Sequence, residues 1–149
     1  MRRSGFTLME IIVSITIVVA LGVATILIID PARQLAKGRN QERQAHLNLI
    51  LNAVGQNIAS NRGKFSCSSG DIPETAARMA TSTGNYNIGP CLVPIYLSSL
   101  PVDPSTSGAG YANENDYDTR YIIARNATTG RVTVSAPAAE LGEKIEVTR

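Results

Sequence analysis

The chain has 149 residues, 44% of them hydrophobic and 17% charged, with two cysteines, one histidine and no tryptophan. That length leaves room for one small domain beside a membrane segment, and two cysteines with a lone histidine argue against a zinc centre. The net charge of +2 hides an asymmetry: residues 30–64 carry six Lys and Arg against two acids, whereas residues 65–149 carry six against nine. The acidic C-terminal part argues against nucleic acid as a direct, specific ligand. Nothing in the chain makes an enzyme: there is no Ser/His/Asp or Cys/His set, no phosphate-binding glycine loop and no paired acids in an expected pocket.

Residues 1–5 are a short basic stretch, Met1-Arg2-Arg3-Ser4-Gly5, too small to be a folding unit. Residues 6–29 follow as an apolar run, about 36 Å of helix at roughly 1.5 Å per residue, enough for a hydrocarbon core of about 30 Å. One ionisable group interrupts it, Glu10. An acid at mid-bilayer costs roughly 2.5 to 3.5 kcal/mol, but one so near the end of the helix can snorkel to the headgroups. Inside a bundle of helices it needs a cationic partner instead. Two simpler readings stand beside this one. An ordinary secretory signal cut near Ala20-Leu21-Gly22 conflicts with Glu10 and with the apolar residues that continue to Ile29. A plain anchor helix explains the length and leaves Glu10 unexplained.

The string Gly5-Phe6-Thr7-Leu8-Met9-Glu10 behind a basic leader resembles the class III signal of type IV pilins and type II secretion pseudopilins. The resemblance implies cleavage by a prepilin peptidase between Gly5 and Phe6 and N-methylation of Phe6. It also implies an assembly role for Glu10, paired with the Phe6 amine of its own or a neighbouring chain.

Asp30-Pro31 reads as a helix restart, with Asp30 capping free amides and proline at the first helical position. A bend is expected at Pro31 and at Gly22, and Gly38 is a further weak point. The second helix is expected to run to about Asn61, with Leu47, Ile50, Leu51, Val54 and Ile58 forming an apolar stripe and Arg62-Gly63-Lys64 ending it. His46 is placed on the polar side of this helix, in solvent. Arg33, Lys37, Arg39 and Arg43 follow the apolar run, and a count of flanking positive charge would place the C-terminal side in the cytoplasm. The leader motif and the cysteines argue the other way.

Residues 66–118 are loop-rich, with one short helix expected after Asp71-Ile72-Pro73-Glu74. Cys67 and Cys91 are the one available disulfide pair, closing a loop worth on the order of 3 kcal/mol in an exported domain. Asp103, Glu114, Asp116 and Asp118, with Leu100-Pro101-Val102 and Gly110-Tyr111 around them, resemble the calcium-binding loop of major type II pseudopilins, whose oxygen ligands suit a hard cation. A solvated turn is the alternative reading. Apart from calcium, no cofactor is implied. Asn126-Ala127-Thr128 matches a glycosylation sequon. Strands are expected at 121–125, 131–135 and 144–148, the first two joined by a five-residue hairpin loop containing Gly130.

The expected fold is α+β and type IV pilin-like: a long N-terminal helix, membrane anchor plus amphipathic half, packed on a small antiparallel sheet. Its parts are a leader at 1–5, a transmembrane or filament-core helix at 6–29, a stem at 30–64 and a globular head at 65–149. The expected function is that of a structural subunit, a pilin or pseudopilin, held in the inner membrane by a single pass with its head outside the cytoplasm. It then polymerises into an extracellular filament. The implied partners are copies of itself, the prepilin peptidase, a membrane platform protein, an assembly ATPase and inner-membrane lipid before assembly. The runner-up is a monotopic, membrane-anchored binding domain that never polymerises.

Overall fold

The computed structural model describes residues 5–28 and 30–149, and the chain divides into two compact units, Met1–Leu35 and Ala36–Arg149. The leader residues 1–4 and Ile29, the expected last residue of the apolar run, lie outside the described residues. The first helix, α1, spans Leu8–Ile28 and starts where Thr7 can cap it: the Thr7 hydroxyl accepts a hydrogen bond from the Glu10 amide at 3.2 Å. Its Leu8–Thr25 window has a mean hydropathy of 2.3, and every residue in that window is exposed. α1 runs through Gly22 without a break.

The second helix, α2, spans Pro31–Ser60, so proline stands at its first position as expected. Asp30 caps it, its Oδ1 accepting from the Arg33 amide at 3.1 Å. Arg62 and Gly63 adopt positive φ (58° and 81°) just past its end, and the Gly63 amide donates to the Ile58 carbonyl at 2.9 Å. The buried side of α2 carries Leu47, Ile50, Leu51 and Val54 as the periodicity indicated, with Ile58 half-buried at the rim. It also carries Asn40, Arg43 and Asn57, which a search for apolar residues passes over.

The rest is an antiparallel sheet of five strands with one short helix: β1 Ala77–Ala80, α3 Gly89–Leu92, β2 Gly110–Asn113, β3 Asp116–Arg125, β4 Val132–Ala136 and β5 Ile145–Thr148. The order is β1-β3-β4-β5, with β2 also paired to β3. Tyr117, Thr119, Tyr121 and Ile123 of β3 and Val132, Val134 and Ala136 of β4 alternate inward, the period of a sheet with one buried face. They join Leu47, Ile50, Leu51 and Val54 in one core.

Two departures from the sequence reading concern residues 66–118. No helix follows Pro73; the chain there is irregular and leads into β1. Tertiary contact accounts for this, because the Pro73 carbonyl accepts from the Arg125 amide at 2.8 Å and Ile72 is buried in the core. β1 and β2 carry no strand signal of their own, since Ala77-Arg78-Met79-Ala80 and Gly110-Tyr111-Ala112-Asn113 contain no β-branched residue. Their pairing with β3 holds them extended. That pairing is irregular: Arg78 stands opposite Ile122 and Ala80 opposite Asp118, so Met79 alone faces Thr119, Arg120 and Tyr121. Arg120 takes φ 63° within the bulge.

Candidate functional site

α1 contains four polar side chains, Glu10, Ser14, Thr16 and Thr25. The three hydroxyls donate to carbonyls of their own helix, Ser14 to Glu10 at 2.7 Å, Thr16 to Ile12 at 2.8 Å and Thr25 to Leu21 at 2.8 Å. Such back-bonding removes their demand for outside partners, which suits a helix surrounded by apolar groups. Glu10 is different. Its carboxylate makes no hydrogen bond or ion pair with the described residues, so it is the one polar demand the helix leaves open. The pattern Thr7-x-x-Glu10 is also that of a capping box, of which the structure forms only the Thr7 half, the hydroxyl accepting from the Glu10 amide. Gly5 and Phe6, the expected cleavage pair, are exposed ahead of α1.

In the second unit a buried polar cluster is centred on Arg43. Its side chain is fully buried, its Nε 2.8 Å from Asp103 Oδ2 and its Nη1 2.9 Å from Glu140 Oε2. Its Nη2 donates to Asp103 Oδ1 at 3.1 Å and to the Ser105 hydroxyl at 2.7 Å, and Nη1 also donates to Asn40 Oδ1 at 2.9 Å. Arg39 donates from Nε and Nη2 to the two oxygens of Glu140 at 2.7 and 2.6 Å. Burial alone would raise the Asp103 carboxyl. Hydrogen bonds from Arg43, from the Ser105 and Thr106 amides and from the Thr106 hydroxyl outweigh it and hold the group well below the usual carboxylate range. Glu140 is lowered to about 2, chiefly by Arg39 and then by Arg43. Every nitrogen of the Arg43 guanidinium is hydrogen-bonded, so the cluster is a clamp joining α2 to the loops that carry Asp103 and Glu140. It presents no reacting group.

Asp103, Glu114, Asp116 and Asp118 do not converge. Among the described residues, no group of three or more His, Cys, Asp or Glu is placed to hold a metal ion. Asp103 is taken up by Arg43, and Asp118 lies 3.6 Å from Arg78 Nε and 3.5 Å from Arg120 Nε. Cys67 and Cys91 are joined in a disulfide, as expected. Asn57 of α2 ties that loop down, donating from Nδ2 to the Ser66 and Cys91 carbonyls at 2.9 and 3.1 Å and accepting from the Ser66 amide at 2.9 Å. His46 corrects the sequence reading: it is half-buried, its Nδ1 2.8 Å from the Tyr121 hydroxyl, with its ring edge-on to the tyrosine. Tyr121 is wholly inside the core, and its hydroxyl reaches a partner there through His46 and the Val102 carbonyl. Asn126 of the sequon is exposed in the hairpin loop, where its Oδ1 accepts from the Thr128 and Thr129 amides.

No family model, characterised protein or solved structure matches the chain.

Proposed function

We propose that the chain is a structural subunit, a pilin or pseudopilin, of an extracytoplasmic type IV filament. Prepilin peptidase removes residues 1–5, Phe6 becomes the methylated N-terminus, and α1 holds the subunit in the inner membrane by a single pass with the head outside. Assembly then transfers α1 from lipid to a bundle of α1 helices from other copies, driven by a membrane platform protein and an assembly ATPase.

One observation carries this reading: α1 is apolar over a length of about 32 Å, self-satisfied at every hydroxyl, and carries one acid, Glu10, whose carboxylate has no partner among the described residues. Lipid alone accommodates the apolar surface but has no use for the acid. A neighbouring chain supplies one, because cleavage after Gly5 creates a cationic amine at Phe6, four residues from Glu10, and methylation preserves its charge. The disulfide accords with a head in an oxidising compartment.

The test is to shear cells that express the chain, image the released material by electron microscopy and determine the intact mass of the protein in it. Filaments of a chain that begins at Phe6 with one added methyl are expected. Protein found only in the membrane fraction, beginning at Met1 or after Gly22, would overturn the reading in favour of an anchored domain that acts alone.

A further inference from the structure

The outer face of the sheet carries a feature that neither the core nor assembly through α1 uses. Arg78 on β1 and Arg120 on β3 direct their Nε atoms at the same oxygen of Asp118, at 3.6 and 3.5 Å, too far for a hydrogen bond. Both Nε atoms are buried and lack any hydrogen-bond partner. Buried donors left in that state call for an explanation. Among the described residues, Asp118 is the one carboxylate within ion-pair distance of either guanidinium, so the cluster holds a charge of +1. Elsewhere on this face Glu146 is reached only across Ile122 and Ser135, and Lys144 neutralises it at 3.0 Å.

The fold brings the two arginines together by irregular means. Arg120 has φ 63°, a left-handed conformation that ordinary side chains rarely adopt, and Asp118 Oδ1 holds it there by accepting the Arg120 amide at 2.9 Å. Its guanidinium lies against Gly108, in the space that a Cβ would occupy. Bulges of this kind re-aim side chains. The result is a cavity of about 370 Å³ lined by Arg78, Arg120, Thr106, Ile122, Pro137 and Ala138. The two arginines make one wall cationic, Thr106 adds a polar group, and Ile122, Pro137 and Ala138 are apolar.

We infer that this cavity binds a small oxyanion, a phosphate or a carboxylate with a short apolar body, between the guanidiniums of Arg78 and Arg120. Planar guanidinium forks pair with two oxygens of such a group at once, and a second anion brings the cluster to neutrality. Ile122, Pro137 and Ala138 would contact the apolar body. The site lies on the head and is independent of whether the chain polymerises.

The full chain in non-ionic detergent would be titrated with inorganic phosphate and, separately, with butyrate at constant ionic strength, following the arginine Nε–H and backbone amide signals by NMR. Saturable shifts at Arg78 and Arg120 with a dissociation constant on the order of 1 mM are expected for at least one probe, and the probe that binds tells a tetrahedral ligand from a planar one. Arg78→Gln and Arg120→Gln should each weaken binding about tenfold or more. Asp118→Asn keeps the oxygen that caps Arg120 but removes the competing charge, so it should tighten binding about tenfold. Shifts that never saturate for either probe would overturn the proposal, as would affinities that all three variants leave unchanged.

Discussion

Arg43 and Asp103, sixty residues apart in the chain, form an ion pair from which water is fully excluded, with Arg43 Nε 2.8 Å from Asp103 Oδ2 and neither side chain more than 1% exposed. The pair fastens the stem helix to the loop after Pro101. Such a pair gains little over an apolar substitute, but removing one member strands the other charge in the core. Arg43→Ala should therefore destabilise the protein by about 3 to 5 kcal/mol in denaturant titrations. The double variant Arg43→Met, Asp103→Asn, which removes both charges but keeps an oxygen for the Ser105 and Thr106 amides, should recover part of that loss. A loss below about 1 kcal/mol for Arg43→Ala would show that the pair is solvated, as surface pairs are.

The same cluster sets an acid response. Glu140 falls from its ordinary 4.5 to about 2, and Asp103 also lies below its ordinary value of 3.8. Carboxyls depressed in the folded state bind more protons when unfolded, so their contribution is complete above the unfolded values and is lost as pH drops through the folded ones. Stability should be level from neutral pH down to about pH 5, then fall steeply between about pH 4.5 and pH 2. Denaturation midpoints across that window should decline less in the double variant Asp103→Asn, Glu140→Gln. Parallel curves for the two proteins would contradict this assignment.

The architecture was legible where local pattern and packing agree. The stripe from Leu47 to Val54 and the strands around Tyr121 and Val134 follow from periodicities that the core uses, and the apolar run and the restart at Asp30-Pro31 from local composition and capping. The clamp was hidden because Asn40, Arg43 and Asn57 continue the buried side of α2 at spacings of three and four residues, with polar side chains whose partners lie far along the chain. β1 was hidden for a related reason: only β3, some forty residues on, makes Arg78 and Met79 extended. Thr7 is legible too, since Thr-x-x-Glu ahead of an apolar run is a helix-start signature.

The disulfide and Asn57 hold one loop from two sides. The Cys67→Ala, Cys91→Ala variant should lose roughly 3 kcal/mol, the chain-entropy value for a loop of this length. Asn57→Leu should cost about 1–3 kcal/mol, because it leaves the Ser66 amide and the Cys91 carbonyl without their partner. Equilibrium unfolding of both variants checks the two values. Peptide mapping without reductant should recover Cys67 and Cys91 linked, and two free thiols in the native protein would contradict the disulfide and the support it lends to an exported head.

Glu10 bears the central claim, that α1 is an assembly element and more than an anchor. Processed protein in the membrane and filaments in the sheared fraction would be quantified in parallel for the wild type, Glu10→Ala and Glu10→Gln. Removing the acid makes α1 easier to hold in lipid, so both variants should be cleaved and inserted normally. In the filament, the Phe6 amine of a neighbour would lose its counter-ion in a dry core, and Glu10→Ala should cut filament yield about tenfold or more. Gln can accept a hydrogen bond but carries no charge, so Glu10→Gln should be intermediate at best; the helix cap, from the Glu10 amide to the Thr7 hydroxyl, is kept in both variants. Wild-type filament yield from Glu10→Ala, with the variant subunit verified in the filaments, would contradict the account.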